Sequence, residues 1–208
     1  MERFLVPILF VVISLSVVAG GYLLARRRPR PEQARRTLLW TGWIVLLPTA
    51  SFMALMAIGE LMADVGVGAG WGMTIPWILM IATLAVLSLT SPRIAVYLTA
   101  AFGAVPIGIA TWEAFAPVAH RAWMDEAGPI VLILTYVLVG AASLAALRRP
   151  RDAGWTIVAI AGIPMSLQAV TPAGELASSL IIASLSFPAF AAGVAFLLPA
   201  RKQGPGGG

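Results

Sequence analysis

The chain contains no cysteine and a single histidine, His120. The first absence excludes disulfides, a thiolate nucleophile, iron–sulfur clusters and thiolate-bound zinc; the second leaves too few imidazoles for a histidine-built metal or haem site. No cofactor and no metal are expected. Charge is scarce too, since 11% of the residues are Asp, Glu, Lys or Arg, against about a quarter in soluble domains. It is scarcest inside the long apolar stretches, where no Asp, Glu, Lys, Arg or His falls near the middle of any run. Proton-coupled pumps and voltage sensors carry such groups at that depth, so the gap argues against both mechanisms.

What is present is hydrocarbon. Hydrophobic residues make up 60% of the 208 and the mean hydropathy is +0.92, which predicts an all-α integral membrane protein. One domain is expected over 1–202, with a disordered Gly/Pro tail over 203–208. Seven apolar runs read as transmembrane helices, at about 4–25, 38–61, 71–90, 94–112, 129–147, 155–170 and 176–198. The first has its charge after the apolar stretch, the reverse of a signal peptide, and is expected to stay uncleaved. Residues 62–70, holding only Asp64, read as an outer turn. Between Glu113 and Gly128, Phe115, Val118, Ala122 and Trp123 recur at helical spacing and predict a short helix in the interface.

The basic residues orient these runs. Arg26, Arg27, Arg28, Arg30, Arg35 and Arg36 fill the first break. Seven spans with the N-terminus outside put them on one side with Arg93, Arg148, Arg149, Arg151, Arg201 and Lys202, leaving Arg3 and Arg121 opposite. That bias marks the cytoplasmic face and accounts for the net charge of +5 without nucleic acid. Most acids fall on the other face. Arginine dominance over lysine, with abundant Ala and Gly, points to a GC-rich bacterial genome and so to a plasma membrane.

The core of the first loop, Arg27-Arg28-Pro29-Arg30, recurs as Arg148-Arg149-Pro150-Arg151. Overlaying the two brings Pro7 onto Pro129, Trp40-Thr41 onto Trp155-Thr156, Pro48 onto Pro164, and Gly59-Glu60-Leu61 onto Gly174-Glu175-Leu176. A 3+1+3 parallel internal repeat is therefore expected, with helices one to three matching five to seven and the fourth as linker. The plan resembles, in topology, that of the sugar-transporting SWEET and PQ-loop families, which implies a transport role. The chain has no Pro-Gln dipeptide, so no functional residue carries over.

Candidate chemistry is confined to two levels. Glu60, Glu113 and Glu175 lie near the outer helix ends, where three carboxylates could ring a vestibule and concentrate cations, although acids at such ends are ordinarily solvated. Nearer mid-depth, Thr49 and Ser51 follow Pro48, and Ser166 and Gln168 follow Pro164; each proline frees a carbonyl, and these side chains can satisfy it, contact a solute, or join helices. The pattern predicts passage of a small polar or weakly cationic solute without ion coupling. Two alternatives stand beside it. One is a membrane-embedded enzyme acting on a lipid or isoprenoid, like a terpene cyclase, with Glu60, Glu113 and Glu175 supplying acid and base; Trp112-Glu113 is its local echo. The other is a non-catalytic accessory subunit. Expected partners are the bilayer and a small solute or lipid.

Overall fold

A computed structural model describes residues 2–28, 30–116, 130–170 and 176–198. Among them are seven α-helices and no strand: α1 (Glu2–Arg26), α2 (Pro31–Val65), α3 (Val67–Thr90), α4 (Pro92–Phe115), α5 (Ile130–Ala146), α6 (Pro150–Val170) and α7 (Leu176–Leu197). Each expected span has its helix, and several helices run past the apolar residues that announce them. At 35 residues α2 is roughly 52 Å long, more than the ~30 Å hydrocarbon core requires. Proline supplies three of the starts, Pro31, Pro92 and Pro150, because the first turn has no use for the N–H that proline lacks. The expected interfacial helix and the Gly/Pro tail lie outside the described residues, apart from Glu113–Phe115, which finish α4.

The expected outer turn over 62–70 is reduced to one residue. Helix α2 continues through Asp64 to Val65, and Gly66 alone separates it from α3, at φ +79°. A side chain would be strained there, so glycine is what lets the chain reverse without a loop. Asp64 therefore stands one turn beyond Glu60 on the same helix.

Side-chain contacts fix the helix directions. Ser88 Oγ, near the end of α3, donates to the Ala141 carbonyl near the end of α5 at 2.9 Å, so these two helices run the same way. Gly193 of α7 abuts Ile157 and Val158 of α6, and Gly42 of α2 abuts the Phe196 ring at the end of α7, which makes each of these pairs antiparallel. The described arginines from Arg26 to Arg36, Arg93 and Arg148 to Arg151 thus share one end of the bundle, with Arg3 in the first turn of α1 at the other.

Helix α5 is the centre, packed against α2, α3, α4, α6 and α7, whereas α1 packs chiefly against α2 and α7. Toward its arginine-bearing end α5 presents Ala141, Ala142, Ala145 and Ala146, all buried, and meets Ala153 and Ile157 of α6 and Ala192 and Phe196 of α7. Small side chains let five neighbours close in. Outward faces are apolar instead, with Leu55, Tyr97 and Phe115 each more than two-thirds exposed. A surface of that kind belongs in lipid, and α1 over Ile8–Arg26, α2 over Pro31–Met56 and α4 over Pro92–Phe115 are long and apolar enough to cross a membrane. The architecture is that of a helical bundle compatible with a membrane protein.

Cross-helix hydrogen bonds to α5 among the described residues include the Ser88 bond and one from the Tyr136 hydroxyl to the Leu185 carbonyl of α7. Polar bonds between membrane helices average about 0.6 kcal/mol with a ceiling near 1.7. Ser88→Ala is therefore expected to lower unfolding stability by about 1 kcal/mol, as read by steric trapping in bicelles; a loss beyond about 3 kcal/mol would mean that Ser88 does more than tether α3 to α5.

Candidate functional site

The residues singled out in the sequence are distributed as follows. Glu60 lies within α2. Glu113 occupies the last turn of α4, half-buried and engaged by a neighbour. Glu175 lies outside the described residues, as do the side chains of Glu60 and Gln168, so a ring of three carboxylates is neither drawn together nor separated by this structure. Thr49 is buried and donates to the Val45 carbonyl at 2.8 Å, a bond within its own helix. Ser51, two positions on, is exposed on the opposite side of α2. Ser166 is exposed and lines a groove on the outer side of α6 with Trp155, Ala159, Gly162 and Phe190. The described members thus do not converge on one cavity.

Pro48 and Pro164, equivalent under the repeat, differ in setting: Pro48 is exposed and Pro164 buried. The buried faces explain the difference. Leu38, Gly42, Val45, Leu46 and Thr49 of α2 are buried, and so are Ala153, Ile157, Ile160, Ala161 and Pro164 of α6, each 115 positions on. In that register Pro164 falls on Thr49 rather than on Pro48, and one residue is about 100° of helix turn. The proline in α2 lies on the exposed face of its helix; its counterpart faces the bundle.

A constellation not anticipated in the sequence lies where α4 meets α6. Both helices open on a proline and carry another fourteen residues later, Pro92 to Pro106 and Pro150 to Pro164. Both inner prolines are buried. Proline has no N–H, so the carbonyl four residues earlier, Phe102 in α4 and Ile160 in α6, loses its helical partner. Each of these is ten residues into its helix, about 15 Å from the arginine-bearing end. Ile160 also packs against α4 beside Phe102, because a Cβ placed on Gly103 would stand 2.5 Å from Ile160 Cγ1. One turn below Gly103, Thr99 is fully buried and its hydroxyl has no partner, whereas Thr41, Thr49 and Thr111 each donate to the carbonyl four residues back. The buried Thr99 hydroxyl and the proline-freed carbonyls of Phe102 and Ile160 therefore fall within about one helical turn of the place where α4 packs on α6.

The identical proline spacing of α4 and α6 was visible in the sequence, but the repeat pairs α6 with α2 and draws attention away from α4. Metal-binding groups of three or more His, Asp or Glu are absent among the described residues. In comparisons with known proteins, no family model, no curated protein and no solved structure matches this chain.

Proposed function

We propose that the chain is a seven-span membrane protein, N-terminus outside and C-terminus cytoplasmic, that passes a small polar or weakly cationic solute without ion coupling. The observation that carries this reading is the in-step pair Pro106 and Pro164 at the crossing of α4 and α6. Helices bend where proline removes a hydrogen bond, so the outer halves of α4 and α6 can tilt together while the alanine-packed end around α5 stays shut. The freed Phe102 and Ile160 carbonyls and the Thr99 hydroxyl offer a passing solute hydrogen-bond partners at mid-depth. Glu60, Glu113 and Glu175 would then hold cations at the outer mouth. The common burial register of α2 and α6 supports the repeat. The closed alanine core suits an accessory subunit as well.

Flux separates these readings. Purified protein in liposomes is expected to accelerate entry of neutral polar or monovalent cationic solutes over empty liposomes, independently of a proton or sodium gradient. Flux equal to that of empty liposomes across both solute classes, with no product formed from any lipid or isoprenoid tested, would leave the accessory subunit. Joint neutralisation Glu60→Gln with Glu175→Gln is expected to shift selectivity more than Asp125→Asn does. Asp64 is not a neutral control, because it stands one turn from Glu60.

Orientation has its own test. Single cysteines replacing His120 and Arg149 are expected to react and to stay silent, respectively, with an impermeant thiol reagent added to intact cells; labelling of Arg149→Cys from outside would invert the assignment.

A further inference from the structure

The groove on the outside of α6 has a volume of about 470 Å3 and an almost entirely apolar lining from Trp155 up to Leu167, closed on one side by Phe190 of α7. Twelve residues of helix separate its ends, about 18 Å, against ~15 Å for the hydrocarbon of one leaflet. Its floor is Ala159 and Gly162, so the α6 surface recedes there between the bulk of Trp155 and Ile163. Below it stands charge. Arg151 is four residues before Trp155, on the same stripe of α6, and is exposed; Arg148, also exposed, lies in the turn that leads into α6. Asp152 is close by, and its carboxylate is taken up by Arg149 at 2.9 Å, which leaves the foot of the groove positive. An acyl-chain-length apolar slot with a positive foot at headgroup depth has the form of a phospholipid site.

We propose that this groove binds one acyl chain of an anionic phospholipid whose phosphate is held by Arg151 and Arg148. A basic pocket between membrane helices on the cytoplasmic side is the recognised setting for such headgroups. A guanidinium engages phosphate through paired hydrogen bonds, while a zwitterionic lipid brings its own cation against the same arginines. A second copy of the chain is a poorer occupant, since a twofold contact through this face would set Arg148 and Arg151 near their own duplicates. The site is separate from the α4–α6 crossing and holds whether or not a solute passes there.

Native mass spectrometry of the purified protein with phosphatidylglycerol or phosphatidylethanolamine of matched chains tests the assignment. The unaltered protein is expected to retain one phosphatidylglycerol several-fold more strongly than phosphatidylethanolamine. Arg151→Gln is expected to cost phosphatidylglycerol retention about fivefold, the worth of one basic residue near an anionic headgroup, and to leave phosphatidylethanolamine unchanged. Ala159→Trp fills the slot from a partly exposed position and is expected to lower retention of both; Ser166→Trp, also exposed, serves if that variant is not monodisperse. Arg28→Gln, outside the groove, is expected to be silent. Equal retention of the two lipids would overturn the proposal. So would a phosphatidylglycerol preference that survives Arg151→Gln and the filled groove, or a change of oligomeric state in Ala159→Trp with lipid retention intact.

Discussion

Replacing Pro106 and Pro164 together with alanine is expected to slow solute flux about tenfold or more while making the protein harder to unfold. Each alanine restores the N–H that closes on Phe102 or Ile160. In water a helix-interior proline costs about 3 kcal/mol relative to alanine. Neighbouring groups in a membrane bundle recover part of that, so a gain of about 1–3 kcal/mol per site is expected. If tilting of the outer halves lies on the transport path, stiffening worth only ~1.4 kcal/mol at the limiting step is enough for a tenfold loss. Pro48→Ala is the companion measurement. That proline is exposed and away from the crossing, so its replacement is expected to stabilise without slowing flux. Unchanged flux in the double variant at matched protein density in liposomes would remove the hinge from the mechanism.

The helices were legible because spanning a bilayer is a one-dimensional requirement. A run of about twenty apolar residues is visible without knowing its neighbours, and loop arginines tell which ends lie together. Termini were less legible: hydropathy ends where charge begins, but the hydrogen-bond ladder does not, so α2 carries Glu60 and Asp64 in its last turns and dispenses with a loop at Gly66. Neighbours were not legible at all. The repeat aligns α5 with α1, yet α5 is enclosed by five helices and α1 packs chiefly against two, because lateral packing depends on side-chain volume around the whole circumference, which hydropathy does not record. The same limit hid the crossing of α4 with α6. Thr99 looks like any membrane threonine until the structure shows its hydroxyl buried without a partner.

Glycine shows that limit most sharply, and Gly193→Val is expected to be among the most damaging substitutions in the chain. In sequence alone Gly20, Gly21, Gly103, Gly108, Gly140, Gly162 and Gly193 look alike, each a small residue that permits close helix contact. The structure divides them. A Cβ on Gly20, Gly108 or Gly140 meets nothing within 4 Å, so these positions are open. On Gly193 it would meet Ile157 Cγ2 at 2.8 Å and the Val158 backbone nitrogen at 3.1 Å, and on Gly154 it would meet the Gly193 carbonyl at 3.1 Å. Backbone cannot swing aside as a side chain can, so α6 and α7 would have to separate along their whole contact. Overpacking of that kind costs about 1–3 kcal/mol and at times more. Gly162 is a milder case, since a Cβ there meets only the Phe190 ring, at 3.0 Å. Gly140→Ala adds a methyl group to open space and is expected to gain up to ~1 kcal/mol from helix propensity. The clasp also bears on mechanism: Gly154 and Gly193 fix the arginine-bearing half of α6 to α7, below Pro164, so only the half above the proline is left to tilt. Thermal unfolding in detergent, followed by size-exclusion chromatography, is expected to rank Gly193→Val lowest, Gly162→Ala near the unaltered protein and Gly140→Ala highest. Equal melting temperatures for Gly193→Val and Gly140→Val would show that α6 and α7 are not held at backbone contact, and would remove the fixed lower half on which the hinge depends.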